Sequence, residues 1–379
     1  GYLFKIGCNG CQITLDVFHS LTDGTGALTF LLTVAGEYLR LVEGIVPEYN
    51  QWVLDPFQAP ENREVEDGFD YFSGGKGTLE TGGRAYHIKG KSIAKGALNN
   101  LRISMSTDDL VKVSREHGCT VTELLSSAMI MSLQRMRAED PSARRSPLMK
   151  ICVPVNLRPI FGVHTLRNFS SYVNLGIDVT SGNYTLDETI REVALQKRLE
   201  TSAHQLRSKV SANVKLEDNV PVRCVPRVIK KQVMAYMHKA KGDMFCSQTL
   251  SNIGNVTLPE SMVPFVTDID FQLGRQLSLS GACACVSYNG KTSLNISRRI
   301  AEDKFEKYLT RELQSLGITI YSMRETLGTP AASRPSPMIA RRALEFLYQS
   351  ILGALLIPTG LAWSHSDRLK RIFGPFFMA

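Results

Sequence analysis

The chain has 379 residues, enough to bury a large core, and chains of this length usually form two or three domains. With 43% hydrophobic and 21% charged residues, its composition is that of a globular protein and excludes a disordered one. Six basic and two acidic residues beyond Gly328 supply half of the net charge of +8, so the rest of the chain is nearly balanced and a nucleic-acid-binding face is poorly supported.

The eight cysteines do not form a metal-binding pattern. Cys8 and Cys11 have C-x-x-C spacing, but they lie across a predicted hairpin turn, with no second pair or nearby His to complete a zinc site. Cys283 and Cys285 alternate along a predicted strand and should share one face. We interpret the cysteines as buried free thiols, which suits a reducing cytoplasm, and we expect no metal.

Two short apolar runs open the chain, Gly1 to Gly7 and Gln12 to Phe18, and Asn9-Gly10 between them is a strong hairpin signal. Apolar and polar residues alternate along the second run, as they do in a β-strand. A helical pattern follows from about Ala27 to Val42. The sequence therefore predicts a turn between a strand and a helix at residues 18–24.

The turn His19-Ser20-Leu21-Thr22-Asp23-Gly24 carries groups suited to proton transfer. An imidazole titrates near neutral pH and can take a proton from a hydroxyl, an amine or a thiol. Asp23 either folds back to orient the ring or caps the following helix, as Asp at such a position often does. The short spacing and common residue types of the hexad leave both interpretations open.

Residues 47–100 are rich in Pro, Gly and acidic residues and are expected to form mostly loops. The run Gly75-Lys76-Gly77-Thr78 lacks the spacing of a phosphate-binding loop, and no predicted strand leads into it. We therefore predict that residues 55–100 are a flexible linker between two lobes.

Regular structure resumes at Leu101, and Asn289-Gly290 is a second strong hairpin signal. Met129, Met131 and Met136 on a strongly apolar helix are interpreted as core filling. The predicted helices are 108–116 capped by Thr107, a helix from Thr120 or Thr122 to Met136, 186–206 capped by Thr185, and 303–316. The predicted strands are 101–105, one ending in the run 149–159, 173–179, 247–256, 269–273, 277–288 and 292–297.

Two of these strands end in polar residues of interest. The first ends at Asn156 and Arg158. An ordinary strand-end salt bridge explains Arg158 as well as a role in a functional site does. The second ends in Ser251-Asn252-x-Gly254, which places a hydroxyl and an amide donor at a strand end. Turn chemistry alone also explains that pattern, and the sequence does not separate Ser251 from Asn252.

The composition changes again beyond Gly328. Residues 329–337 resemble a linker, and residues 346–363 are uncharged between basic flanks. Eighteen residues are the lower limit of a membrane-spanning helix, and the Gln, Ser, Gly and Pro residues within them weaken that interpretation. Three interpretations of this run stay open. It is a membrane-spanning helix, an interfacial or lobe-packing helix, or an artefact of the sequence record.

The hexad at 19–24 is H-x-x-x-D-G and resembles the signature of acyltransferases similar to chloramphenicol acetyltransferase, including plant BAHD enzymes, wax ester synthases and peptide-synthetase condensation domains. Residues 46–50 and 55–58 are most similar to a bacterial branch described as alcohol acetyltransferases. The V-P-V-N-x-R run 153–158, the Asn168–Ser171 segment with Arg167 in place of a Gly, and the S-N-x-G run 251–254 also resemble family segments. The likeness extends to about Gly328.

This resemblance implies an α/β fold with two chloramphenicol acetyltransferase-like lobes, each a mixed sheet flanked by helices. It assigns residues 1–54 to a remnant of the N-terminal lobe, 55–100 to an inter-lobe linker and 101–328 to the C-terminal lobe, and it does not cover 329–379. Family members usually carry a longer segment before the hexad. The chain is therefore expected to be an N-terminally truncated fragment with an incomplete first lobe.

The resemblance further implies acyl transfer from a coenzyme A thioester, most simply acetyl coenzyme A, to an alcohol. His19 is then the general base, while Asp23 has a structural role and Gly24 gives the turn room. Ser251 and Asn252 are oxyanion candidates, and Asn156 and Arg158 are expected to hold loops near the site. A mildly basic surface would help to attract the anionic thioester.

Two alternatives to alcohol acetylation are carried with it. One is a non-catalytic, condensation-like binding or scaffold module, and the other is amide-forming condensation on carrier-protein thioesters with an amine acceptor. In every version the expected location is cytoplasmic, with no nucleic-acid partner. Membrane association through residues 346–363 stays open.

Overall fold

The computed structural model describes residues 3–72, 77, 83–141, 146–218, 244–276 and 279–328. Its strands are β1 (Phe4–Asn9), β2 (Gln12–Val17), β3 (Asn99–Ser106), β4 (Leu148–Asn156), β5 (Ser170–Asp178), β6 (Gln248–Asn255), β7 (Gly281–Tyr288), β8 (Lys291–Arg298) and β9 (Ile320–Thr326). Its helices are α1 (Gly24–Val42), α2 (Asn62–Val65), α3 (Thr107–Glu116), α4 (Val121–Glu139), α5 (Arg158–Phe161), α6 (Leu186–Glu200), α7 (Ala203–Asp218) and α8 (Lys304–Ser315).

Seven strands form one mixed sheet in the order β5-β4-β6-β7-β8-β3-β9. The β4–β6 and β6–β7 pairs are parallel, and the other neighbours are antiparallel. Helices α4, α6 and α8 pack on one face, over a core that includes Leu124, Leu133, Val193 and Leu309. The predicted α/β fold with a mixed sheet flanked by helices is confirmed, whereas the division into two lobes stays a prediction.

The N-terminal elements form a hairpin followed by a helix, as the sequence predicts. Strands β1 and β2 pair in the register Asn9 to Gln12, and Gly10 adopts the left-handed φ of +57° that the tight turn needs. Helix α1 begins at Gly24, three residues before the predicted start, and ends at Val42. Its apolar side chains Leu28 and Leu32 pack with Val286 and other residues on the opposite face of the sheet from α4.

Helix α1 is also the one helix in the described part of the chain that is long and apolar enough to cross a membrane. Its apolar window is 44% buried within the protein, and the buried core helix of a soluble protein meets the same criterion. The apolar run 346–363 lies outside the described residues. His204 is exposed on α7.

Local capping signals account for several helix starts. Thr120 and Glu123 form a reciprocal capping box at the start of α4, and Thr185 with Glu188 does the same for α6. The predicted cap at Thr107 is wrong by one residue, because the Ser106 hydroxyl accepts the hydrogen bond from Asp109 N. The predicted helix 186–206 divides into α6 and α7 at residues 201–202.

Two further strand predictions need correction. Residues 269–273 have the apolar alternation of a strand but form no strand. Side chains of β8 bind their backbone instead, since Asn295 Nδ2 donates to Phe271 O at 3.0 Å and Ser297 Oγ donates to Leu273 O at 3.0 Å. Edge strand β9 was not predicted, because its mostly exposed side chains give no apolar alternation.

The interpretation of the cysteines as buried free thiols holds for only some of them. The seven described cysteines are free, and Cys283 and Cys285 lie in the core as expected, where burial raises the pKa of both thiols. Met129, Met131 and Met136 are buried too, which confirms their interpretation as core filling. Cys8 and Cys11 are exposed, because the β1–β2 hairpin is an outlying two-stranded sheet.

A close backbone approach joins the start of α1 to the segment before β5. Thr22 Oγ1 donates to Leu166 O at 2.7 Å. A Cβ on Gly26 would lie only 2.5 Å from that same carbonyl oxygen and 2.2 Å from Thr22 Oγ1. Residue 26 must therefore be glycine for α1 to dock in this way, whereas a Cβ on Gly24 would make ordinary contacts, the nearest at 3.4 Å to Phe271.

A buried ion pair links β8 to α8 and β9. Arg298 Nη1 lies 3.0 Å from Glu306 Oε1, with side chains 7% and 4% exposed, and Arg298 Nη2 lies 2.5 Å from Glu325 Oε1. Burial raises the pKa of Glu306 above its ordinary value even though Arg298 acts in the opposite direction. Burial would lower the pKa of Arg298, but Glu306 and Glu325 raise it.

We expect Gly26→Ala to lower the free energy of unfolding by about 1–3 kcal/mol, because its Cβ has no space beside Leu166 O. Gly24→Ala, on the same turn of α1, is the matched control and should change the free energy of unfolding by less. Urea unfolding followed by circular dichroism measures both. Equal effects of the two substitutions would contradict the close approach at Gly26.

We expect Arg298→Met to lower the free energy of unfolding by about 3 kcal/mol at pH 8 and by less at pH 5. Without the guanidinium, the already raised pKa of Glu306 rises further above its ordinary value of 4.5. An acid with a raised folded-state pKa loses its stabilising contribution as the pH rises through that pKa. Urea unfolding at the two pH values tests this, and the pH difference should shrink in Arg298→Met/Glu306→Gln.

Candidate functional site

His19 lies on the short connection between the end of β2 and the start of α1. Its side chain is exposed, and no residue in the described part of the chain hydrogen-bonds its imidazole. Asn168 Nδ2 donates to its backbone carbonyl at 3.2 Å, which fixes the main chain of the turn and leaves the ring free. The imidazole is therefore available to exchange a proton with a bound molecule.

Asp23 holds this turn in place, and its carboxylate makes no hydrogen bond or ion pair with the His19 ring. Its Oδ1 accepts a hydrogen bond from Gly26 N at 3.1 Å, so the carboxylate caps α1. Its Oδ2 accepts from Phe169 N at 3.0 Å and from Arg158 Nη1 at 2.7 Å. With side chains 7% and 13% exposed, Asp23 and Arg158 form a largely buried pair whose charges are matched and hydrogen-bonded.

Arg158 connects the turn to the loop before β5. Its Nε donates to Thr165 O at 2.6 Å, and its Nη2 donates to Arg167 O at 2.7 Å. Asn156 Oδ1 accepts from both the backbone N and Nη1 of Arg158, each at 3.1 Å, which orients the guanidinium. One arginine thus binds Asp23 and two backbone carbonyls, so its contacts reach beyond an ordinary strand-end salt bridge.

The end of β6 also lies near this turn. A Cβ placed on Gly24 would lie 3.6 Å from Ile253 Cδ1 and 3.4 Å from Phe271 Cζ, so both side chains border the start of α1. Residues 19–24, 156–158 and 251–254, which are far apart in sequence, therefore lie around one place.

Strand alternation separates the two oxyanion candidates that the sequence left equal. Ser251 and Ile253 lie on the face of the sheet that carries α1, because side chains two residues apart share a face. Asn252 points to the opposite face, where its Nδ2 donates to Thr122 Oγ1 at 3.1 Å, while its Oδ1 accepts from Gly254 N at 2.9 Å. Of the two, only Ser251 shares a face with the His19 turn.

Phe271, which borders the start of α1, is one of the site neighbours that the sequence did not predict. Its segment was assigned to a strand, and nothing local in the sequence indicates that Asn295 would bind its backbone. Thr165 and Leu166 were missed for a similar reason, since they act through carbonyl oxygens. The described residues contain no group of three or more His, Cys, Asp or Glu side chains that could hold a metal ion.

The chain matches no protein-family model, and a comparison with curated proteins finds no match. Among solved structures it is similar to the epimerization domain from the third module of tyrocidine synthetase B, at 12% identity and a TM-score of 0.46, over 80% of this chain and 68% of that one. It is also similar to F. graminearum TRI101 complexed with coenzyme A and T-2 mycotoxin, at 13% identity and a TM-score of 0.48, over 81% and 66%.

A third similar structure is the nonribosomal peptide synthetase FmoA3, at 16% identity and a TM-score of 0.47. The similarity covers 80% of this chain but only 30% of the synthetase, so the chain spans less than a third of that protein. With identities below 20% and TM-scores below 0.5, these similarities leave the function to be inferred from the residues around His19.

Proposed function

We propose that the protein is an acyltransferase that moves an acyl group, most simply acetyl, from a coenzyme A thioester to an alcohol, with His19 as general base. The observation that carries the proposal is the convergence of residues 19–24, 156–158 and 251–254 on one place. These three segments are the ones that resemble the chloramphenicol acetyltransferase-like family. If each had only a separate structural role, the three would not need to lie close together.

In the proposed reaction, His19 removes the proton from the acceptor hydroxyl as the hydroxyl oxygen attacks the thioester carbonyl carbon. The carbonyl oxygen becomes an oxyanion. When it reforms the double bond, the carbon–sulfur bond breaks and the imidazolium returns the proton to the departing thiolate. The new ester and free coenzyme A balance the atoms, and the step needs no covalent enzyme intermediate.

Each contact around His19 supports a separate part of this reaction. The exposed ring has no protein partner within the described residues to compete with a substrate hydroxyl. The Asp23–Arg158 pair and the Asn168 amide hold the backbone on either side of the ring, so the imidazole keeps its position during proton transfer. Ser251 is the preferred oxyanion donor, because it lies on the face that carries α1 while Asn252 is bound to Thr122.

Amide-forming condensation on a carrier-protein thioester is the second candidate reaction. The same general base would serve an amine acceptor, and the exposure of His19 leaves room for a thioester on a large carrier. Release of thiol from carrier thioesters with amines, and not from acetyl coenzyme A with alcohols, would favour it. Binding of acetyl coenzyme A without thiol release under any acceptor would favour a non-catalytic module.

We expect His19→Ala in the full-length protein to lower kcat/KM for thiol release by about 100- to 10,000-fold, the range that general-base catalysis contributes. A colorimetric thiol assay with acetyl coenzyme A across alcohols and amines measures this. His204→Ala, exposed on α7, is the control and should keep full activity. Unchanged turnover in His19→Ala would refute the assignment of the base.

We expect Arg158→Met to lower the free energy of unfolding by about 3 kcal/mol and to lower kcat, because it leaves the Asp23 carboxylate buried without its cation. Lys307→Met breaks the exposed Lys307–Asp303 pair and should cost less than about 1 kcal/mol. Urea unfolding and the thiol assay provide the two measurements.

Adding Asp23→Asn should recover part of the stability lost in Arg158→Met, since it removes the unpaired charge. It should not restore kcat, because the turn is still held by fewer contacts than in the wild type. Full activity in Arg158→Met at a temperature where the variant is folded would show that the pair does not position His19.

A further inference from the structure

A cavity of about 330 Å³ lies beside the first residue of β6, at the opposite end of that strand from Ile253. Five residues of extended strand, about 17 Å, separate Gln248 from Ile253, which borders the start of α1. Its walls combine apolar side chains with more numerous polar and charged ones. The apolar side chains are Ile88, Met136, Ile296, Ile300 and Phe305, and the polar group includes Tyr86, Gln248, Ser280 and Arg298.

The sheet itself creates the space between two of these polar side chains. Gly281 pairs with Arg298, and Leu250 pairs with Cys283, so Gln248 is level with Gly281 two residues earlier. Gln248, Gly281 and Arg298 therefore form a row across three neighbouring strands. Gly281 has no side chain, and a Cβ there would lie 2.4 Å from Ser297 O, so the gap between Gln248 and Arg298 stays unfilled.

Both polar side chains are more than nine-tenths buried and each has an unused hydrogen-bonding atom. Gln248 Nε2 donates to Ser280 Oγ at 3.2 Å, but its Oε1 has no partner among the described residues. Arg298 Nη1 donates to Glu306 and Nη2 donates to Glu325. Its Nε has no hydrogen-bond partner among the described residues. Buried polar atoms in folded proteins are normally paired, with water or a ligand where the chain gives no partner.

Most of the charged side chains around the cavity lie beside an opposite charge. Lys89 lies 3.8 Å from Asp140, and Lys304 lies 3.8 Å from Glu139. Inside, Glu306 is bound by Arg298. Glu302 also lines the cavity, and its carboxylate accepts from Lys91 N. The lining therefore has no excess positive charge for an anionic ligand. Because a carboxylate cannot donate to Gln248 Oε1 and an ammonium cannot accept from Arg298 Nε–H, the two unused atoms together suit an uncharged ligand.

We propose that this cavity binds a small uncharged molecule that carries a primary carboxamide on an apolar body. The carboxamide oxygen accepts from Arg298 Nε–H, and its N–H donates to Gln248 Oε1 across the gap at Gly281. The apolar body packs against Met136 and Phe305. One functional group thus satisfies both unused atoms, and the site is separate from the proposed acyl-transfer site.

Benzamide is a suitable probe, with benzoate and benzylammonium as charged analogues of similar shape. We expect benzamide to bind the full chain at one site by isothermal titration calorimetry and saturation-transfer NMR, at least tenfold more tightly than either ion. Gln248→Leu keeps the side-chain size and removes the acceptor, so it should weaken benzamide about tenfold. Gln314→Leu, exposed on α8, is the matched control and should bind as the wild type does.

Met136→Trp should abolish benzamide binding by filling the cavity, and circular dichroism checks that the variant is folded. Gln248→Leu keeps the test valid if Met136→Trp does not fold, because it removes a buried polar atom that lacks a partner. No binding to the wild type, as expected of a cavity that holds only water, would overturn the proposal. Equal binding of the ions, or unchanged binding in Gln248→Leu, would also overturn it.

Discussion

The ion pair between Asp23 and Arg158 is the interaction on which the arrangement around His19 depends. It joins the turn before α1 to the first residue of α5, 135 residues later in the sequence. The carboxylate also caps α1 and binds Phe169 N, and the guanidinium also binds two carbonyls, so neither charge is buried without partners. A pair of this kind specifies position, because its hydrogen bonds form in only one relative placement of the two segments.

The sheet determines which side chains share the space near that turn. Alternation along β6 directs Leu250 and Asn252 toward α4, and Ser251 and Ile253 toward α1. The same alternation on β8 places Asn295 beneath the 269–273 segment, whose Phe271 borders Gly24. One face of the sheet thus packs against the core beneath α4, and the other face lies next to the candidate acyl-transfer site.

Features with local causes could be predicted from the sequence, and features with distant causes could not. The first hairpin and the capping boxes of α4 and α6 depend on neighbouring residues, so their patterns were visible. Residues 269–273 have strand alternation, but their backbone partners are side chains of a later strand. The H-x-x-x-D-G resemblance predicts a role for His19. Only the fold distinguishes Ser251 from Asn252. The fold also shows that Gly26, and not Gly24, has no space for a side chain.

The way Arg158 is bound has a consequence for how this region tolerates sequence change. The guanidinium binds the backbone carbonyl oxygens of Thr165 and Arg167, and Thr22 binds that of Leu166. These three hydrogen bonds therefore do not depend on the side chains of residues 165–167. The identity of residue 166 can therefore vary while the loop keeps its path, whereas the side chain of Arg167 also pairs with Asp67 at 3.0 Å. Asp23, Gly26 and Arg158 have no such freedom, since their own side chains, or the lack of one, make the junction.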